Sequence, residues 1–261
     1  MKYVDAHIHL SDTEYNGKID EIIKDAKQSN VVALVSNSMD LESCLQTLRL
    51  AKEYPNHVYA ALGIHPWNVK SLKENELQNT LDLIVKEAGE DKIVAVGEIG
   101  LDFQYVKKEE DKDSQLKVFR EMLAVAEKLS LPAIIHSRGT TQEIMDILPS
   151  YRIKKVLFHW FSRPIELLNK IVEKGYFITE GPPTAYSKRT KEIVEKTPLT
   201  HLLTETDGPV RFFGPPFKGS LTTPSFIPVV VEAIAKVKNM DKEEVGEQII
   251  KNFSEFFCIN L

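Results

Sequence analysis

The sequence predicts a single (β/α)8 barrel domain over residues 1–261, with an extra C-terminal helix. Short apolar segments alternate regularly with amphipathic ones, a pattern typical of α/β proteins. The apolar segments are continuous, as expected for parallel strands that are buried on both faces. Eight strand–helix units fit into about 240 residues, close to the size of a typical barrel. We find no linker or shift in composition that would divide the chain.

The elements follow from these segments in chain order. Apolar segments predict strands at residues 4–10, 31–36, 58–64, 93–99, 133–136, 155–159, 176–179 and 201–206. Amphipathic segments predict helices at residues 19–28, 41–53, 77–88, 116–129, 141–148, 164–174 and 188–195. Proline and glycine crowd residues 208–224, which predicts a loop, and helices at 224–237 and 242–257 end the chain.

Composition indicates an ordinary globular protein. Of the 261 residues, 43% are hydrophobic and 27% are charged. We expect a cytoplasmic protein with no membrane partner, because neither a signal peptide nor an apolar run of ~18 residues is present. The net charge of −5 argues against a protein that coats nucleic acid. It still allows an enzyme that holds phosphates at one site.

Two histidines lie two residues apart in the first predicted strand. Because alternate residues of a strand share a face, His7 and His9 project together, with Asp5 one step below them. Two imidazoles at this spacing can hold one divalent metal ion. The pattern also occurs by chance, so its meaning depends on ligands elsewhere in the chain.

Further candidate ligands lie at the C-terminal ends of other predicted strands, where barrel enzymes carry their active sites. These candidates are His65, Glu98, His136, His159 and Asp207. Burying a bare carboxylate is costly unless it is paired or binds a metal, so the apolar context of Glu98 and Asp207 indicates a cation. The remaining histidines, His57 and His201, lie at predicted N-terminal strand ends and are expected to be structural.

Taken together, six segments resemble the TatD-related metal-dependent hydrolases, a branch of the amidohydrolase superfamily. The segments are residues 5–10, 63–66, 97–102, 131–138, 159–162 and 205–207. They occur in the order that the family shows, and residues 252–256 also fit. The combination is specific, because no single segment carries the match.

The resemblance implies a barrel with two divalent metal ions. In similar proteins, the equivalents of His7, His9 and Asp207 bind one ion, those of His136 and His159 bind the second, and that of Glu98 bridges both. Nitrogen and oxygen ligands suit Zn²⁺, Mn²⁺, Co²⁺ or Ni²⁺, and a carboxylate-bridged site can also use Mg²⁺. The identity of the metal therefore stays open.

We interpret the chain as a metal-dependent hydrolase that cleaves DNA phosphodiester bonds from a strand end, as an exodeoxyribonuclease. Asp207 would orient the attacking water or take its proton, and Glu98 would complete the two-metal site. His65 would donate a hydrogen bond or proton to the phosphate or the leaving oxygen, or act instead as a third histidine ligand. Arg138 and Arg163 would contact phosphate.

Other side chains near the same rim are candidates for supporting roles. Asp5 and Glu205 could orient ligating imidazoles or could be purely structural. Four aromatic side chains could stack on bases, namely Trp67, Tyr105, Phe161 and Phe212.

The alternative interpretation keeps the metal site and changes the substrate to a small amide, lactone or phosphoester, because fold and metal do not fix the substrate. Two departures from the family pattern favour it. Lys218 stands where relatives have arginine, and an asparagine expected within residues 222–225 is missing. Glu180 is expected to place a negative charge at the rim, which would disfavour a polyanion. A non-catalytic metal-binding protein is a third possibility, against which the full ligand set argues.

Overall fold

The structure is a computed structural model that describes residues 1–89, 93–104, 106 and 108–261. It confirms the predicted (β/α)8 barrel: eight parallel strands follow one another around the barrel in chain order. The strands are β1 Tyr3–Ile8, β2 Val31–Asn37, β3 Val58–Leu62, β4 Ile93–Gly100, β5 Ala133–His136, β6 Val156–Phe158, β7 Phe177–Glu180 and β8 Leu202–Thr204.

Helices connect the strands, and the predicted extra helix is present after the last unit. The helices are α1 Ile19–Gln28, α2 Leu41–Glu53, α3 Glu76–Ala88, α4 Glu109–Leu129, α5 Thr141–Ile147, α6 Leu168–Glu173, α7 Lys188–Lys196, α8 Ile227–Lys238 and α9 Lys242–Phe257. None of them, within the described residues, combines the length and the apolar character needed to cross a bilayer.

The first and last strands close the barrel through hydrogen bonds at their C-terminal ends. The backbone N–H of Asp207 donates to the carbonyl oxygen of His7, and the backbone N–H of His9 donates to the carbonyl oxygen of Gly208. The N···O distance is 2.9 Å in both bonds. The carboxylate of Asp5 accepts from the backbone N–H of Thr206 at 3.1 Å and from its hydroxyl at 2.5 Å. Chain segments about 200 residues apart in sequence are thereby fixed against each other.

The strands are buried on both faces, which explains their continuous apolar sequences. All six residues of β1 and all four of β5 are buried. Gly100 lets β4 approach β5 closely: its φ is +147°, and a Cβ at this position would overlap the carbonyl oxygen of His136. This close approach brings the end of β4, with Glu98, beside the end of β5.

Element boundaries differ from the predicted ones at three informative places. Helix α4 begins at Glu109, seven residues before the predicted start at 116, because acidic first-turn residues favour a helix N-terminus without adding apolar periodicity. Strand β1 ends at Ile8 and β8 ends at Thr204. His9 and Asp207 therefore lie just beyond their strands, where the chain turns at the barrel rim.

The two histidines predicted to be structural lie away from this rim. His57 directly precedes β3, and its Nδ1 lies 3.0 Å from the carbonyl oxygen of Val32. His201 lies in a short 3₁₀ turn, Leu199–His201, that leads into β8. Both positions agree with the prediction.

Candidate metal centre

The C-terminal ends of six strands bring seven polar side chains into one cluster. Each of these side chains is at least nine-tenths buried by residue, and together they include every predicted ligand: His7, His9, His65, Glu98, His136, His159 and Asp207. The barrel topology produces this convergence, because parallel strands present all their C-terminal ends on the same rim.

Glu98 is the centre of the cluster, and its two oxygens face different histidines. Oε1 lies 2.8 Å from His159 Nε2 and 2.9 Å from His136 Nδ1. Oε2 lies 3.2 Å from His9 Nε2 and 3.4 Å from His7 Nε2. One carboxylate thus touches two sets of imidazoles, one on each of its oxygens.

Asp207 lies on the side of the cluster that carries the β1 histidines. Its Oδ1 is 3.5 Å from His7 Nε2 and 3.6 Å from His9 Nε2. Asp207 itself adopts a left-handed backbone conformation with φ of +50°, which turns the chain out of the line of β8 directly after the strand. His7 also stacks on His159, with ring centroids 3.9 Å apart, so the two sets adjoin.

Acceptor oxygens lie on the outer sides of three rings, within hydrogen-bond distance for His9 and His136 and at ion-pair distance for His159. His9 Nδ1 lies 3.0 Å from the carbonyl oxygen of Asn37, and His136 Nε2 lies 3.1 Å from Asp102 Oδ2. His159 Nδ1 lies 3.4 Å from Glu205 Oε2. A hydrogen bond to an outer acceptor requires N–H on that side, so in neutral His9 and His136 the nitrogen that faces Glu98 carries a lone pair. The nearby carboxylate of Glu205 favours the same tautomer of His159.

This arrangement requires positive charge at the centre. Lone pairs on neutral imidazoles would otherwise face the carboxylate oxygens of Glu98 across 2.8–3.2 Å. Protons can supply the charge, and a divalent cation supplies it with the nitrogen and oxygen ligands that transition metals and zinc favour. The donor set and its tautomers therefore fit a metal ion.

The pKa values of the buried groups reflect the same competition between burial and neighbouring charges. Burial by itself would raise the pKa of Glu98, but the neighbouring His159, His65 and His7 hold it well below its usual range. Burial lowers the pKa of His159, and the carboxylates of Glu98 and Glu205 outweigh burial and raise it well above its usual range. Burial raises the pKa of Asp207 to about 7, against the opposing effect of His159.

Three groups of side chains have ligand atoms close enough for one metal ion, with all atoms of a group within 4.8 Å of one another. They are His7–His9–Glu98, His7–His159–Asp207 and His65–Glu98–His136. The first contains three of the four residues expected around one metal. The second mixes the two expected sets, since the stacked His7 and His159 rings lie between them. The third joins His65 to two residues expected around the second metal.

His65 has the opposite tautomer from the three histidines above. Its Nδ1 accepts a hydrogen bond from the backbone N–H of Trp67 at 3.1 Å, so the neutral ring carries its proton on Nε2. Nε2 lies 3.3 Å from Glu98 Oε1. Burial lowers the pKa of His65 to about 4, which keeps the ring neutral. Metal ligation through Nε2 would leave two N–H groups facing each other at Nδ1, so the geometry favours a donor role.

Asp102 is a site residue that sequence reasoning missed. Its side chain is fully buried, and its Oδ2 contacts both His136 Nε2 and the indole N–H of Trp67, the latter at 2.7 Å. The sequence does point to Asp102, because it is an acidic residue that lies two positions after the apolar strand β4. The acceptor for His9, a backbone carbonyl at Asn37, leaves no such signal in the sequence.

The two predicted supporting carboxylates have different surroundings. Glu205 lies behind His159 and accepts a hydrogen bond from the Thr179 hydroxyl at 2.5 Å, which agrees with an orienting role. Asp5 instead accepts from the backbone N–H of His7 at 3.2 Å and from Thr206. Its described hydrogen bonds therefore hold the barrel together and do not reach an imidazole ring.

The predicted phosphate contacts lie in loops beside the cluster. Strand β5 ends at His136, so Arg138 lies in the following turn, half-buried, and strand alternation does not determine where its side chain points. Arg163 is exposed in the loop after β6. Lys218 is also exposed, in the proline-rich loop that follows β8.

Several predicted rim features are wrong because of burial. Phe161 is fully buried and Phe212 is 5% exposed, so neither can stack on a base. Trp67 is 51% exposed, and its stacking role stays a prediction, whereas Tyr105 lies outside the described residues. Glu180 is fully buried, and burial raises the pKa of its carboxyl well above the usual range. Its burial and its raised pKa both oppose the predicted negative charge on the rim.

Comparisons with known proteins agree with this site. The chain is 36% identical to a metal-dependent hydrolase of Methanocaldococcus jannaschii, covering 98% of this chain and 97% of that protein. It is 31% identical to human deoxyribonuclease TATDN3, covering 97% of this chain and 94% of that protein. The crystal structure of the TatD homologue YjjV from Escherichia coli superposes with a TM-score of 0.90 at 26% identity, covering 99% of this chain and 98% of that one.

The match to a family, rather than to single relatives, extends over nearly the whole chain. The model of the TatD-related DNases matches residues 4–258, a range that includes every residue of the cluster. With eight parallel strands, a convergent ligand cluster and relatives of this kind, the chain belongs to the TatD family of metal-dependent hydrolases.

Proposed function

We propose that this protein is a two-metal deoxyribonuclease that hydrolyses DNA phosphodiester bonds from a strand end. The observation that carries the proposal is the position of Glu98, whose two oxygens contact separate sets of histidines. A carboxylate placed in this way can bridge two cations. His7, His9 and Asp207 would hold one cation, and His136 and His159 would hold the other.

Metal ions held by these residues would supply Lewis acidity and lower the pKa of water near the phosphate. The chain's own residues then orient and exchange protons. Asp207, at the edge of the cluster, orients the attacking water and accepts its proton. His65 presents Nε2–H towards the centre and donates to a phosphate oxygen or to the leaving oxygen. Arg138 and Arg163 flank the cluster in adjacent loops and attract the phosphate.

Two observations support DNA as the substrate. The family model describes DNases, and a human relative that matches over most of both chains is named a deoxyribonuclease. The main objection to a polyanionic substrate, a charged Glu180 at the rim, does not hold, because Glu180 is buried and its pKa is raised. A phosphate backbone therefore meets no added negative charge there.

The test is hydrolysis of single-stranded DNA labelled at the 5′ or the 3′ end. The enzyme is first chelated and then supplied separately with Mg²⁺, Mn²⁺, Co²⁺, Ni²⁺ or Zn²⁺. We expect stepwise shortening from one end with at least one metal. We also expect a loss of about 10³-fold or more in Glu98→Gln and Asp207→Asn, the size found when a group essential to a charged transition state is removed.

Two results would contradict the proposal. One is cleavage that persists in the chelated enzyme, and the other is DNA that stays intact with every metal. If DNA stays intact while a small amide, lactone or phosphoester is hydrolysed in a manner that needs Glu98, the protein is a small-molecule hydrolase with the same metal centre.

A further inference from the structure

Beside the metal centre lies a groove that the chemistry described above does not use. It has a volume of about 430 Å³, within the range of small-molecule sites, and lies between the segment after β3 and helix α4. Its lining includes Pro66, Trp67, Val69, Lys70, Val106 and Ser114. We refer to it as the Trp67 groove.

The interior of the Trp67 groove is apolar, and its polar groups are either satisfied or at the edge. Gln115, which is 3% exposed, uses both ends of its amide: Oε1 accepts from the Asp102 backbone N–H, and Nε2 donates to the Pro66 carbonyl oxygen. Lys70 is exposed and lies 3.2 Å from Asp111. Ser114 donates to the Glu110 carbonyl oxygen, so its hydroxyl oxygen can still accept.

Trp67 is a rigid wall shared by the groove and the metal centre. Its indole N–H is anchored on Asp102 at 2.7 Å, and Asp102 also contacts His136. The Trp67 ring lies 4.9 Å from the His65 ring and 6.0 Å from the His136 ring, measured between centroids. A large aromatic side chain that is fixed in place and still 51% exposed is a ready platform for stacking.

The geometry points to the Trp67 groove as the subsite for a nucleobase of the substrate, stacked on the indole of Trp67. This inference rests on the proposed function. A phosphate beside His65 places the base of the same nucleotide one sugar away, which is where the groove begins. The apolar walls accept the flat faces of any base.

Calorimetric binding tests the groove without relying on DNA cleavage. The two probes are thymidine 5′-monophosphate and deoxyribose 5-phosphate, which has a hydroxyl group in place of the base, each with the metal-loaded enzyme. Stacking of one base predicts about tenfold tighter binding of the thymidine nucleotide. Equal affinity for the two probes would overturn the inference, even if the protein proves to be a nuclease.

A groove-filling variant adds a test that leaves the Asp102 contacts in place. Ser114→Trp puts a side chain into the groove from the exposed face of α4, and Lys117→Trp places the same side chain on that helix outside the groove. We expect Ser114→Trp to weaken binding of the thymidine nucleotide about tenfold and to leave binding of deoxyribose 5-phosphate unchanged. Lys117→Trp should change neither affinity, and identical behaviour of the two variants would contradict the inference.

The cleavage assay separates the two proposals. An oligonucleotide with an abasic terminal nucleotide should have a higher KM than its base-bearing counterpart, by about the same factor as in binding. If DNA is not cleaved at all but the base still strengthens binding, the groove stands and the deoxyribonuclease proposal fails. If both oligonucleotides are cleaved with equal KM, the deoxyribonuclease proposal stands and the groove assignment fails.

Discussion

At the scale of single residues, the partners outside the cluster decide what each histidine can do. Asn37 and Asp102 accept hydrogen bonds from the outer nitrogens of His9 and His136, which leaves the inner nitrogens free to bind a cation. The backbone N–H of Trp67 has the reverse effect on His65. One hydrogen bond on its outer side thus decides whether a histidine is suited to bind a cation or to donate a hydrogen bond to the substrate.

Replacing Asp102 with asparagine should weaken metal binding. The variant keeps the size of the side chain but removes the charge that holds His136 Nε2–H, and losses at such supporting carboxylates are typically about 10–100-fold. The measurement is Mn²⁺ or Zn²⁺ affinity by calorimetric titration. Asp113→Asn, on the exposed face of α4, is the matched control and should bind as the wild type does. Unchanged affinity in Asp102→Asn would show that this contact does not orient the ring.

Glu180 should make the protein less stable as pH rises. The unfolded carboxyl titrates near its usual value of 4.5, whereas burial, followed by the charge of Glu205, raises the pKa in the folded protein well above that. Between the two values the unfolded chain has released a proton that the folded chain keeps. The free energy of unfolding therefore falls with pH in this window, by up to about 1.4 kcal/mol per pH unit.

Glu180→Gln should remove that part of the pH dependence, because an amide does not titrate. Neither carboxyl oxygen of Glu180 has a hydrogen-bond partner among the described residues, so the substitution loses no described bond. Urea unfolding at pH 5, 6, 7 and 8 should show an advantage over the wild type that grows with pH. Glu173→Gln, an exposed position on α6, should parallel the wild type. An advantage that is constant with pH would contradict the assigned titration.

At the scale of elements, the helices are predicted well and the strand ends less well. Helices α1, α2 and α9 begin and end where their periodicity predicts. Strands β1 and β8 end earlier than predicted, because the backbone N–H groups of His9 and Asp207 form hydrogen bonds between these two strands and do not continue the regular strand pairing. Residues that favour a strand, Leu10 after β1 and Thr206 after β8, continue past the point at which pairing stops, so the sequence alone cannot mark these ends.

The terminal helix α9 holds the start of the last strand. The buried side-chain amide of Asn252 donates to the carbonyl oxygens of Leu199 and Leu202, at 2.7 and 2.8 Å, directly before and within β8. Since β8 leads to Asp207, the helix supports the position of a candidate ligand from the opposite end of the strand.

Asn252→Leu should destabilise the fold by about 2–3 kcal/mol, since two carbonyl groups lose a buried donor. Gln248→Ala is the control: Gln248 lies one turn earlier and donates only to the Asn252 side-chain oxygen among its described bonds, so its loss should cost about 1 kcal/mol or less. Both free energies come from urea unfolding of the chelated protein. Equal losses in the two variants would show that the Asn252 amide does not clamp β8.

At the scale of the whole molecule, the metal centre should also act as a staple. Its candidate ligands come from five of the eight strands, so a bound cation would tie most of the barrel rim together. A metal that binds only the folded state stabilises it by about 2.7 kcal/mol at a concentration 100-fold above Kd.

Chelation should therefore lower the Tm, and adding metal should restore it. For a domain of this size we expect a shift of about 5 °C or more, measured by calorimetry at matched ionic strength. Glu98→Gln, which lacks the shared carboxylate, should show a much smaller response to metal. A wild-type Tm that does not respond to chelation or metal would contradict a rim held together by cations.

The sequence by itself determined the barrel and the candidate ligand residues. Both depend on local information: alternating segment types set the class of fold, and residues at strand ends meet on one rim whatever the details of packing. The candidate ligands are therefore identifiable from the sequence, namely His7, His9, Glu98, His136, His159 and Asp207.

Only the tertiary structure decided protonation, burial and the supporting contacts. The carbonyl of Asn37 that orients His9, the burial of Glu180 and Phe161, and the Trp67–Asp102 pair all depend on contacts between separate strands and loops. Side-chain direction beyond a strand end follows no fixed alternation, and the pKa of a carboxyl follows its solvent exposure. These quantities arise from neighbours in space, which the order of residues along the chain does not specify.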